Sequence, residues 1–245
     1  MRAALDMRST PIATFVRDDD AGWADHRLLV MLDVFERYNV PIDVAVIPDA
    51  LGAPLADQLI ERHARGLLHL HQHGRAHANH EPASGRKCEF GEARTVPAIH
   101  ADVAAGWQRL TNLLGDAAEP VFTPPWNRSV HELGGALAAV GHVVLSRDRS
   151  AGSIGHPAVT EVPITVDWFG STKGKRWTLR ELGRRVAMEL SGGEPVGIML
   201  HHGVTEHAEL VEIQALVALL ASHPAAAPTS ILALAARRAV PEPAQ

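Results

Sequence analysis

Seven short apolar runs, rich in β-branched residues, alternate with stretches of helical period, and this alternation constrains the fold more than any other feature of the chain. The runs lie at 12–16, 41–48, 67–71, 120–123, 142–145, 159–166 and 195–200. Between them, apolar residues recur at helical spacing from Asp25 through Phe35, and over 55–65, 98–114, 129–140, 178–190, 206–221 and 231–238. Asp25, Ser129 and Thr178 are the expected N-caps, and Gly66 and Gly115 the expected stops. A strand–helix–strand repeat packs back on itself with parallel strands and helices outside. The expected class is therefore α/β, either a barrel or an open doubly wound sheet. No linker or repeat interrupts the pattern, so one domain over 1–245 is expected, with its core at about 11–238.

Several function classes drop out early. The formal net charge is −5 and the cations are scattered, which removes the basic footprint of a nucleic-acid binder. No apolar stretch approaches the ~18 residues needed to span a bilayer. The N-terminus lacks the apolar segment of a secretory leader, so a cytoplasmic location is expected. Cys88 is the single cysteine and has no accompanying nucleophile motif. Neither G-x-S-x-G nor H-E-x-x-H occurs.

What remains is histidine, 15 residues in all, nine of which cluster in 63–80 and 201–207. Polar groups that follow parallel strands gather at one end of such a fold. Four segments stand there. Asp18-Asp19-Asp20 places three carboxylates at a strand end, where their repulsion calls for a cation or for solvent. His73 and His77 are four apart, and a helical turn would bring both imidazoles to one ion. His71, on the strand, is expected to be buried behind them, and a polar loop follows over 72–95. Pro124-Pro125-Trp126-Asn127-Arg128 is a rigid loop whose Trp126 can stack on a sugar ring. His201 and His202 end the last strand, where alternation lets one of them face the site.

Taken in order, Asp19-Asp20, His73-x-x-x-His77, Pro124-Pro125-Trp126 and Leu200-x-His202 resemble the polysaccharide deacetylase family, the NodB-homology group of carbohydrate esterase family 4. The matching segments spread over roughly 12–205 of the chain. The resemblance implies a distorted (β/α) barrel of about seven parallel strands and a metal-dependent hydrolase that removes an N-acetyl or O-acetyl group from a carbohydrate. It implies Asp20, His73 and His77 as ligands of a divalent metal, with zinc the expected ion. It implies Asp19 as general base and His202 as the acid that protonates the leaving amine. Pro125, Trp126, Asn127 and Arg128 would meet the substrate or its oxyanion. Asp167-Trp168 resembles in part a further motif that supports the catalytic histidine. One departure stands out: the family carries an arginine before its two prolines to orient the base, and here that place is Thr123. Arg17, Arg75, Arg94 and Arg128 are the candidates to replace it. The alternatives are a related amidohydrolase acting on small amides or ureides, and a barrel that binds metal or glycan without turnover.

Overall fold

The computed structural model describes residues 1–172 and 175–239, so 240–245 of the expected domain lie outside the described residues. In chain order the elements are α1 (Arg2–Asp6), β1 (Ile12–Ala21), α2 (Asp25–Tyr38), β2 (Ile42–Val46), α3 (Ala53–His63), β3 (Leu68–His73), α4 (Val96–Leu114), β4 (Ala118–Thr123), α5 (Leu133–Val140), β5 (Val144–Leu145), β6 (Thr160–Glu161), β7 (Val166–Asp167), β8 (Ser171–Thr172), β9 (Lys175–Arg176), α6 (Leu179–Leu190), β10 (Val196–Leu200), α7 (His207–Ser222), β11 (Ala226–Pro228) and α8 (Ile231–Ala239). The large sheet runs β6-β5-β4-β3-β2-β1-β10-β7, with β11 beside the start of β1, and its pairings are parallel. β8 and β9 form a separate antiparallel pair.

The run expected as one strand over 159–166 divides in two, and the division joins the sheet edges. Val162 N–H and Ile164 N–H donate to the carbonyls of Leu145 and Arg147, while Thr165 N–H and Trp168 N–H donate to Gly197 and Met199. The segment thus leaves β5 and arrives at β10, with donor-less Pro163 at the crossing. This link makes the sheet the distorted barrel that the motif resemblance implied.

Strand alternation sorts the side chains. Phe15, Val121, Val144 and Met199 form an interior cluster with Ile231, Leu234 and Ala235 of α8. Val16, Val44, Leu70 and Ile198 face outward and pack with α2 and α7 residues such as Leu28, Met31 and Leu216. Because α8 begins beside Asp43, which accepts its first N–H at 3.1 Å, that end of the interior is filled. The polar strand ends collect at the opposite mouth.

Two expected caps change. Ala24, at φ 51°, holds the N-cap position of α2, and Asp25 is already helical. Ser129 starts no helix, because its hydroxyl accepts from Arg147 at 3.1 Å and its backbone bridges Phe90, which defers α5 to Leu133. Thr178 caps α6 in a full capping box with Glu181.

Candidate active site

Arg17 and Asp19 lie two apart on β1, so both point into the barrel. They are 0% and 2% exposed. Arg17 Nε donates to Asp19 Oδ1 at 2.7 Å and Nη2 to Oδ2 at 2.9 Å, a two-pronged clamp. Its remaining N–H groups reach Ser146 O, Ser146 Oγ and Asn127 Oδ1 at 2.9–3.0 Å. All five guanidinium donors thus find oxygen, which is the condition for burying such a charge. At the position where the resemblance expects an arginine, Thr123 is fully buried and its hydroxyl bonds His71 Nε2 at 2.9 Å. Of the four candidate replacements, Arg17 is the one on Asp19. Arg75 and Arg94 instead hold Asp102, and Arg128 bonds the Lys87 carbonyl.

Asp20 breaks the alternation. Its φ is +74°, and the pairing with β2 shifts register between Asp18 and Ala21. The bulge turns Asp20 to the same mouth as Asp19. There Asp20 Oδ1 lies 3.2 Å from His73 Nε2 and 3.1 Å from His77 Nε2. Burial acts to raise the Asp20 carboxyl, but the two histidines outweigh it and hold it well below the usual carboxylate range. His73 is buried at the end of β3 with Nδ1 3.0 Å from the Thr123 carbonyl. A carbonyl only accepts, so Nδ1 carries the hydrogen and Nε2 presents its lone pair to the cluster.

His77 does not arrive on a helical turn as the spacing suggested. The chain over 74–77 is irregular, with Gly74 at φ +58° and His77 at φ +54°. Glu89, 1% exposed, fixes this loop by accepting from Ala76 N–H at 2.8 Å and Arg75 N–H at 3.3 Å. A Cβ at residue 74 would stand 2.1 Å from Glu89 Oε2 and 2.7 Å from Pro125, so only glycine fits. The Trp23 and Trp126 rings lie 4.9 and 4.4 Å from the His77 ring.

One donor atom each from Asp20, His73 and His77 fall within 4.8 Å of one another. A mixed oxygen–nitrogen triangle with a preset His73 tautomer fits a divalent ion and leaves coordination positions open.

The acid assigned to His202 is corrected. His202 is 1% exposed and points out of the barrel, with Nδ1 2.5 Å from Asp18 Oδ2 and Nε2 2.7 Å from the Trp23 carbonyl. Burial lowers its pKa, but Asp18 outweighs burial and pushes it up to about 9. Both nitrogens are engaged away from the mouth. His201, in step with inward Met199, faces the site instead. Its charge lowers both Asp20 and Asp167, although burial keeps Asp167 above the usual carboxylate value. Met199-Leu200-His201 carries the same apolar-x-His spacing one residue earlier.

The proline loop also divides its labour. Pro125 is buried against Gly74. Asn127 is spent on Arg17, Asp148 N–H and Met199 Sδ. Trp126 and Arg128 line a cleft of 220 Å³ with Asp167 and Met199. Sequence reasoning left out Glu89 and Trp23; a lone acid in a polar loop and a lone tryptophan carry no motif.

No family model matches the chain, and no curated protein matches it. Solved structures do. A protein assigned as a polysaccharide deacetylase from Mycobacterium smegmatis superposes with a TM-score of 0.71 at 14% identity, covering 98% of this chain and 95% of that one. A family 4 acetyl xylan esterase from Clostridium thermocellum, solved with a cobalt ion, gives 0.54 at 14% identity over 84% and 82%. A CE4 family pseudoenzyme from Bacillus anthracis gives 0.60 at 11% identity over 88% and 63%. The chain has the polysaccharide deacetylase fold.

Proposed function

We propose that this chain is a divalent-metal-dependent hydrolase that removes an acetyl group from an N-acetylated carbohydrate. The observation that carries the reading is the Asp20–His73–His77 triangle standing beside a carboxylate, Asp19, that a buried arginine holds by both oxygens. Zinc is the ion we propose, since two imidazoles and one carboxylate suit it. When bound, it would polarise the acetyl carbonyl and acidify a water.

The chain's own residues do the rest. Asp19 accepts the proton of the attacking water through a lone pair that Arg17 leaves free. The clamp keeps that carboxylate aimed, so no reorganisation is needed at the moment of attack. His201 gives a proton to the departing nitrogen as the C–N bond breaks, because an unprotonated amine leaves poorly. Asp167 lies close enough to His201 for the two groups to interact electrostatically. Trp23, 44% exposed, and Trp126 offer apolar ring faces to a sugar.

The Thr123 departure favoured a barrel without turnover; Arg17 on Asp19 supports turnover against that alternative. The test is acetate release by zinc-loaded protein from N-acetylhexosamine oligosaccharides, beside a panel of small amides and ureides. Release from the sugars alone supports the reading, whereas cleavage confined to the ureides would move the activity to the related amidohydrolases.

A further inference from the structure

Beside the reacting mouth lies a second feature that acetyl removal does not use. The 220 Å³ cleft of Trp126, Asp167 and Met199 shares Arg86, Asn127 and Arg128 with an adjoining cleft of 580 Å³. Trp126 connects this region to the metal triangle, its ring 4.4 Å from the His77 ring and 6.0 Å from Lys87 Nζ. Arg86 and Arg128 line both clefts, and Lys87 adjoins them with its ammonium over the Trp126 ring. Among the described residues, none of the three has a carboxylate within 4.0 Å, although most other arginines near the barrel mouth do. Arg128 is half-buried and spends one N–H on the Lys87 carbonyl. Burial and the adjacent Arg86 guanidinium push it down from the ordinary arginine range. Three of the acids on the same walls accept backbone N–H groups, Glu81 from Ala93, Asp148 from Ser150 and Asp167 from Phe169, while Glu92 lines the larger cleft together with Arg147, which is itself paired with Glu161.

Crowding like charges beside a half-buried guanidinium raises the energy of the empty cleft, and an anion offsets it. A neutral glycan supplies none. We infer that the substrate carries an oxyanion, a phosphate or a uronate carboxylate, next to the acetylated sugar, seated on Arg86, Lys87 and Arg128. This rests on the deacetylase reading for the identity of the sugar. The 580 Å³ space is large enough for the group that bears the anion.

The test is titration calorimetry on the zinc-loaded chain with four probes: N-acetylglucosamine, its 1-phosphate, and disaccharides joining it to glucose or to glucuronate. At least one charged probe should bind about tenfold or more tighter than its neutral counterpart. Which pair shows the gap separates phosphate from carboxylate. In Arg86→Ala/Lys87→Ala, both exposed positions with little effect on folding, the gap should shrink to about threefold or less. Equal binding of charged and neutral probes, or a preference that survives the double substitution, would overturn the inference. Acetate measured in the same samples judges the hydrolysis separately. Charge-selective binding with no acetate from any probe leaves the anion subsite standing and removes the deacetylase; acetate without charge preference does the reverse.

Discussion

Arg17 and Asp19 are the residue pair on which the proposed chemistry turns. Both are buried, and each is the other's main neutralising partner. Arg17→Leu should therefore cost about 3–5 kcal/mol, read by denaturant unfolding, since it leaves Asp19 charged and unpaired. Arg17→Lys keeps the charge but loses the fork. It should fold and lose on the order of 100-fold in kcat, because a misaimed base is slow even when ionised. Asp19→Asn should abolish acetate release while retaining the metal, measured by elemental analysis. An Asp19→Asn protein with full activity would move the base elsewhere. The sequence carried Arg17 only as one of four candidate arginines, because which strand delivers a guanidinium to a given carboxylate is a property of the closed barrel and not of spacing.

At the scale of elements, β1, β3 and β10 each deliver one class of side chain inward and another outward. Asp18 and His202 are the outward pair, tying β1 to the turn after β10. The histidine is pushed up to about 9 by that contact, so its stabilisation is complete below its unfolded value near 6.5 and is lost as pH rises through about 9. The stability difference between wild type and His202→Gln, followed by urea unfolding, should shrink across that interval. A difference that grows instead would contradict the pairing. Glu89 is the support of the His73–His77 loop, and Glu89→Gln should weaken metal affinity roughly 10–100-fold without removing a ligand. Alternation rules were enough to say that one histidine of the 201–202 pair faces the mouth, but the phase of β10 against β1 decides which, and pairing register is set by the whole sheet. The bulge at Asp20 and the left-handed His77 were equally illegible, since both are backbone departures held by tertiary contacts.

For the whole molecule, the strand–helix rhythm carried the architecture because burial periodicity is local: six of the seven expected runs appear as single strands and the seventh splits at Pro163. β11 escaped notice because Ala226, Ala227 and Pro228 have neither bulk nor β-branching. The barrel holds the three candidate ligands on separate strands and loops, so metal binding should stabilise the entire fold. At a hundredfold excess over Kd, zinc should add about 2.7 kcal/mol and raise Tm by roughly 5–10 °C. Acid should reverse it, since a metal-bound imidazole must be unprotonated. Burial alone would lower the His73 imidazole, but Asp20 outweighs burial and holds it above 6.5, so proton competition begins above that pH. The most direct test of the account is the metal content of the reconstituted protein beside His73→Ala/His77→Ala. The account predicts about one divalent ion per wild-type chain and none in the variant. A wild-type chain that takes up no metal, or a variant that keeps it, would contradict the Asp20–His73–His77 centre and with it the hydrolase.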